Sequence, residues 1–232
     1  MIRVFADYES LSEAAADFIR SAGNSAVRER SRFDLVLSGG STPRRAYEIL
    51  AERTSDDPAF WRKTHVFWSD ERCVGPDHPD SNYRMAKLAL LDTVGIAETN
   101  VHRICAEEPD REAVAADYGR TFPDPVDLVL LGMGADGHIA SLFPFSPALD
   151  EREKRFAVSR AAVEPKDRIT ITPPALAAAR SVLVLVSSAP KASAVAHVFA
   201  AEGDVRRTPA GLVREAAWFL DKDAAVQLER KK

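Results

Sequence analysis

The chain has 232 residues, 46% of them hydrophobic and 28% charged, with a formal net charge of −4. A chain of this size buries most of its apolar surface in one α/β core, and we read residues 1–232 as a single domain of ordinary globular composition. No apolar run approaches the roughly 20 residues of a membrane span, and the basic residues are dispersed rather than gathered into a stripe, which excludes a membrane helix and gives no footprint for nucleic acid.

The stretch MIRVFADYESLSEAAADFIR carries an acid at Asp7 and no basic region followed by an apolar block. It does not read as a signal peptide, and the cytoplasm is the expected compartment. Residues 10–30 place apolar side chains at helical spacing, with Ser10 or Ser12 as N-cap. FDLVLS (33–38) is a short continuous apolar run of the kind buried on both faces of a parallel sheet, and it ends in Gly39-Gly40. Ser41-Thr42-Pro43 then supplies capping hydroxyls and a first-turn proline for a helix over RRAYEILAER. THVFWSD (64–70) is a second strand, and SNYRMAKLALLDTV (81–94) a helix capped by Ser81 or Asn82. Cys73 and Cys105 have no metal-ligand spacing and are expected to be ordinary thiols. PDREA near 109 and EPKDR near 164 read as surface loops. REAVAADYGRTF gives another helix, VDLVLL (126–131) and SVLVLVS (181–187) two more buried strands, and APKASAVAHVFA (189–200) a helix. AWFLDKDAA closes as a strand running into a short helix. This alternation predicts a doubly wound α/β fold of Rossmann-like type, a mostly parallel sheet with helices on both faces.

In such sheets ligands gather beyond the carboxyl ends of the strands. SGGSTP, SDER, GMGADGH and SSAPK each follow an apolar run, so one rim collects the chemistry-bearing residues. Gly132, Gly134 and Gly137 have the spacing G-x-G-x-x-G, but a dinucleotide site also needs a full helix after the third glycine and an acid about 20 residues on. Pro144 and Pro147 leave room for only about two turns of helix, and the next strand candidate, RFAVSRA, ends without an acid. What the loop offers instead is His138, a candidate base near neutral pH, with Asp136 beside it to orient the ring. His65, His78, His102 and His197, which have no such rim position, read as structural or surface residues.

SGGSTP lacks the lysine of a nucleotide P-loop, yet Gly39, Gly40, Ser41 and Thr42 at a helix N-terminus suit a phosphate. Asp70, Glu71 and Arg72 of SDER, with Arg168 and Lys191, add charge to the same rim, and together the cations suit an anionic small molecule.

These segments are similar to those of the 6-phosphogluconolactonases: LSGGSTP (37–43), FWSDERCVGPDHPDSNYRMA (67–86), LVLLGMGADGHIASLFP (128–144), RITITPPAL (168–176) and APKASAV (189–195). They occur in family order over most of the chain. The related glucosamine-6-phosphate deaminases typically continue D-G-H-I-A as F-N-E-P and carry D-E-Y, whereas this chain has S-L-F-P from Ser141 and SDER. Two departures concern loop geometry. Phe145 stands where a glycine often follows S-L-F-P, and Ser188-Ala189-Pro190 replaces a glycine-rich approach to Lys191.

The resemblance implies hydrolysis of 6-phospho-D-glucono-1,5-lactone without a metal or organic cofactor. His138 is then the expected base for water, held by Asp136, with Arg72 and backbone N–H groups stabilising the oxyanion. Gly39, Gly40, Ser41, Thr42, Arg168 and Lys191 are expected at the phosphate, with Asp70 and Asn82 at ring hydroxyls or water. The expected partner is a phosphorylated sugar lactone, and a monomer is compatible with the sequence. A deaminase or aldose-ketose isomerase would instead use Asp70 and Glu71 near C1 and C2. A non-enzymatic sugar-phosphate sensor would need a DNA-binding element, for which there is no sequence sign.

Overall fold

The computed structural model describes residues 1–200 and 203–228. The apolar runs form six parallel strands: β1 (Ile2–Phe5), β2 (Phe33–Leu37), β3 (Thr64–Trp68), β5 (Leu128–Gly132), β8 (Val182–Val186) and β9 (Ala217–Asp221), in the order β1-β9-β8-β5-β2-β3. Every residue of β2 is buried, as expected for a strand covered on both faces. Trp61, Trp68, Trp218 and Tyr47 are the largest side chains fully enclosed in the core. The chain leaves β2 for β3 on one side, while β5 lies on the other side. A crevice opens at this reversal, outside the carboxyl ends of β2 and β5.

A second sheet lies outside the sequence expectation. The short β4 (Asp70–Arg72) pairs antiparallel with β7 (Asp167–Ile171), which pairs antiparallel with β6 (Phe156–Arg160). THVFWSD is therefore not one strand. Ser69 separates the two sheets and bonds to both, donating to the Leu37 carbonyl at 2.8 Å and accepting from Ile171 N at 2.7 Å. RFAVSRA is a strand, but of this smaller sheet, so the six-strand sheet is wholly parallel and the three-strand one wholly antiparallel. EPKDR is only partly loop, since β7 begins at Asp167.

Helix boundaries shift where a local side chain outcompetes the expected cap. Helix α1 spans Tyr8–Arg30, and its N-cap is Asp7, whose carboxylate accepts from Ser10 N at 2.8 Å. Ser12 lies inside the helix and donates to the Tyr8 carbonyl. Helix α2 (Ser41–Thr54) follows β2, and the unexpected short helix α3 (Pro58–Lys63) precedes β3. Ser81 does cap the next segment, accepting from Arg84 N at 3.1 Å. That segment is not a uniform helix: α4 (Asn82–Ala86) runs into a π-helical turn over Lys87–Leu91 and then α5 (Asp92–Val94). Helix α6 covers Arg111–Thr121, α7 Pro173–Ala178 and α9 Lys222–Ala225. The helix expected over 189–200 is a 3₁₀ turn at Ala189–Lys191 followed by α8 (Ala192–Val198).

His65 and His102 meet away from the rim, with Nδ1 of one 3.1 Å from Nε2 of the other and the rings stacked. Burial lowers the His65 pKa to about 4 and also lowers that of His102. The adjoining Arg32 acts in the same direction on both rings, while Asp34 opposes it at His102. A depressed imidazole pKa gives stability that is complete above the ordinary value of about 6.5 and is lost as pH falls from there towards 4. The expected loss over that window is on the order of 1 kcal/mol, discounted for partial exposure. Denaturant unfolding between pH 8 and 4.5 should show a flatter pH dependence in a His65→Gln/His102→Gln variant than in the parent, and parallel curves would contradict this.

Candidate active site

The crevice holds a cavity of ≈ 200 Å³ into which five segments converge. Ser38, Gly39, Gly40, Ser41 and Thr42 come from the β2–α2 turn, Asp70 and Arg72 from β4, and Asn82 from the start of α4. The loop after β5 contributes Gly134 and His138, and Lys191 enters ahead of α8. Nine of the residues read from the sequence as a site therefore line one cavity: Gly39, Gly40, Ser41, Thr42, Asp70, Arg72, Asn82, His138 and Lys191. Asp136 reaches it through His138. Arg168 does not line it.

The three glycines build the loop around the histidine. No helix follows Gly137; instead Gly137 N donates to the Gly134 carbonyl at 3.0 Å, and Gly134 N to the His138 carbonyl at 2.9 Å. Ile139 then bridges to both Met133 and Leu142. The tight reversal, together with Pro144, leaves no room for the expected two turns of helix. Asp136 Oδ1 accepts from His138 N at 3.1 Å and lies 2.6 Å from His138 Nδ1. Burial raises the Asp136 pKa, but the hydrogen bond and charge of His138 outweigh it, and the net shift is downward. An ionised carboxylate can only accept, so this contact assigns the proton to Nδ1 and leaves the Nε2 lone pair as the basic site of the neutral ring. A Cβ on Gly134 would collide with the His138 ring and with Asp136 Oδ1, so the close approach requires glycine there.

On the other side of the cavity, α2 begins after Gly40 with no side-chain cap. The first-turn N–H groups of this helix are thus available to an anion. Thr42 Oγ1 sits 3.2 Å from Ser187 Oγ, and Tyr8 OH donates to the Ser41 carbonyl at 2.7 Å, which ties the turn to β8 and α1. Burial lowers the Lys191 pKa, opposed by the charge of Asp221. The two sequence departures turn out to share one feature. Phe145 has φ 58° and Ser188 φ 84°, so both keep the left-handed backbone that a glycine would adopt freely. Local contacts hold them: Phe145 N donates to the Arg206 carbonyl at 2.8 Å, and Ser188 N to both carboxylate oxygens of Asp221 at 3.1 and 2.9 Å.

Glu71 has a structural place that the sequence did not reveal. It is buried and accepts from Arg72 N, Ser81 Oγ, Asn82 N and Tyr83 N at 2.7–3.0 Å, tying β4 to the start of α4. Burial nonetheless pushes its pKa up. Asn82 Nδ2 donates to the Asp70 carbonyl at 2.8 Å, while Asn82 Oδ1 and Ser38 Oγ are buried without a partner among the described residues. Arg72 donates to the Asp80 carbonyl. Arg168 faces Arg72 across the β4–β7 ladder, and burial, followed by the charge of Arg72, pulls its pKa below the ordinary guanidinium value. Arg168 was grouped with the rim cations for its charge; it lies on β7, directly paired with Arg72 of β4.

The architecture and cavity define a sugar-phosphate isomerase/lactonase type of protein. A family model described as glucosamine-6-phosphate isomerases/6-phosphogluconolactonase matches residues 6–220, and the chain belongs to that family. It is 39% identical over 241 residues to the 6-phosphogluconolactonase of Synechocystis sp., covering 98% of each chain. The solved structure of 6-phosphogluconolactonase from Trypanosoma brucei superposes with a TM-score of 0.85 at 30% identity, covering 98% of each chain. A monomeric glucosamine-6-phosphate deaminase shares the fold, with a TM-score of 0.84 at 21% identity and coverage of 97% of this chain and 99% of the deaminase.

Gly134→Ala should break the Asp136–His138 contact while the chain still folds. The expected NMR signature is loss of a downfield imidazole Nδ1 proton with the amide spectrum of the core preserved. Retention of that proton would show that the loop accommodates a Cβ without moving the ring.

Proposed function

We propose that the chain is a 6-phosphogluconolactonase that opens 6-phospho-D-glucono-1,5-lactone with water. The observation that carries the mechanism is the His138 ring, held by Asp136 at Nδ1, on one cavity with an uncapped helix N-terminus and Lys191.

His138 Nε2 takes a proton from water as the water oxygen attacks the lactone carbonyl carbon. The resulting imidazolium is stabilised by the Asp136 carboxylate, and the carbonyl oxygen becomes an oxyanion. Arg72 and the N–H groups of the 132–138 loop that are not already bonded within it take this role, and one such donor contributes about 3 to 4 kcal/mol in other enzymes. As the tetrahedral intermediate collapses, the bond between the carbonyl carbon and the ring oxygen breaks, and His138 returns its proton to that oxygen. The product is the ring-opened 6-phosphogluconate. No covalent enzyme intermediate is needed, and there is no G-x-S-x-G nucleophile elbow in the sequence.

The phosphate lies against Gly39, Gly40, Ser41 and Thr42, with Lys191 as its counter-charge. Arg168, paired with Arg72 across the β4–β7 ladder, adds positive charge beside the site. Asp70 and Asn82 take ring hydroxyls. This chemistry calls for water, a base and hydrogen-bond donors, and for no metal or organic cofactor. Among the described residues no helix is long and apolar enough to cross a membrane. Cys73 and Cys105 are free, which agrees with the cytoplasmic location of this reading.

Fresh 6-phosphogluconolactone, with product followed through 6-phosphogluconate dehydrogenase, should be consumed well above its spontaneous rate, while glucosamine 6-phosphate should release no ammonia. The opposite pattern would overturn the proposal in favour of a deaminase. Lys191→Ala should raise KM for the phosphorylated lactone by roughly 10- to 100-fold and leave turnover of the unphosphorylated lactone little changed. Equal losses on the two substrates would remove Lys191 from the phosphate.

A further inference from the structure

Asp70 lines the cavity yet is only 5% exposed, and the protein already engages both oxygens of its carboxylate. Ser69 Oγ donates to Oδ1 at 3.2 Å and Ser141 Oγ to Oδ2 at 2.6 Å. Ser141 is itself held in place, its N–H donating to Thr170 Oγ1 at 3.1 Å and its carbonyl accepting from Ser159 Oγ at 2.6 Å. Ser69, Ser141, Ser159 and Thr170 are all buried, so this is a fixed polar network rather than a solvated cluster.

Each carboxylate oxygen can accept two hydrogen bonds. With one acceptor position on each oxygen taken by a serine, the carboxylate plane is set and the remaining positions are left for the cavity. A group that donates, such as a sugar hydroxyl, complements that arrangement. Glu71, the other acid of SDER, is saturated by four donors and does not line the cavity. Glu71 is therefore not free for the proton transfers at carbon that an isomerase or deaminase would require, which leaves Asp70 as the one acid of the pair that faces the cavity.

We propose that Ser141 is a positioning residue for substrate recognition: its hydroxyl fixes Asp70 as the acceptor of a ring hydroxyl of the phosphorylated lactone. The proposal rests on the lactonase reading of the cavity. It gives physical content to the S-L-F-P stretch, because Ser141 opens that stretch and a phenylalanine there could not donate to Asp70.

A double-mutant cycle tests it, with kcat and KM on 6-phosphogluconolactone measured for Ser141→Ala, Asp70→Ala and the double variant, and with thermal unfolding as the control for folding. Ser141→Ala should raise KM by about tenfold, with kcat changed less than about threefold, as expected when a binding contact shared by ground and transition states is lost. In the Asp70→Ala background the same substitution should have no further effect on KM. If Ser141→Ala is too unstable to assay, Ser141→Cys is carried through the same cycle, since it preserves the side-chain position with a weak donor. An unchanged KM, or the same loss in both backgrounds, overturns the proposal. Lack of turnover by the parent enzyme would instead remove the lactonase reading, so the two failures are distinct.

Discussion

The hydrogen bond between Asp136 and His138 sets the requirements for the loop around it. To bring a carboxylate within 2.6 Å of an imidazole two residues away, the chain must reverse tightly after β5. Gly134 must lack a side chain so that the ring and the carboxylate can both pack over its backbone. The middle glycine of a spacing that resembles a nucleotide fingerprint is thus explained by the bulk of a histidine–aspartate pair, while Gly137 is required by its positive φ of 83°. The assigned tautomer follows from the same contact, because an ionised acceptor at Nδ1 leaves the basic lone pair at Nε2.

The two sheets divide the remaining work. The parallel sheet brings the carboxyl ends of β2 and β5 together at its reversal point, which places the α2 N-terminus opposite the histidine loop. The antiparallel sheet hangs from Ser69 and carries Asp70 and Arg72 into the same crevice. Its buried hydroxyl network joins the histidine loop to β4 through Ser141 and Asp70. A deaminase-type fold alone would not separate the chemistries, since a glucosamine-6-phosphate deaminase superposes almost as well as the lactonase structures. In the proposed reading, the separation lies in the Ser141 contact to Asp70 and in the saturation of Glu71.

Five of the six parallel strands were legible because burial on both faces demands continuous apolar runs, and FDLVL and VLVLV show them openly; β1, with three exposed residues, carries no such run. The carboxyl ends of those five then indicated most of the cavity lining. The smaller sheet was not legible, because β4 is three residues long and its partner strand lies nearly a hundred residues further on. Glu71 and Arg168 share that difficulty: only the hydrogen bonds from the start of α4 show what Glu71 supports, and only the antiparallel register shows that Arg168 pairs with Arg72. The Asp7 cap shows a smaller version of the same limit, since several serines nearby offered equally good capping chemistry. Phe145 and Ser188 read as losses of glycine, and only their backbone angles reveal that the glycine-like conformation persists.

The account stands most directly on His138 as the base that activates water. The deciding measurement is kcat of His138→Ala on freshly prepared 6-phosphogluconolactone, with spontaneous hydrolysis subtracted, beside the Kd of 6-phosphogluconate for the same variant. The account predicts a fall in kcat of about 10²- to 10⁴-fold with Kd changed less than about threefold. A kcat close to that of the parent enzyme would contradict it.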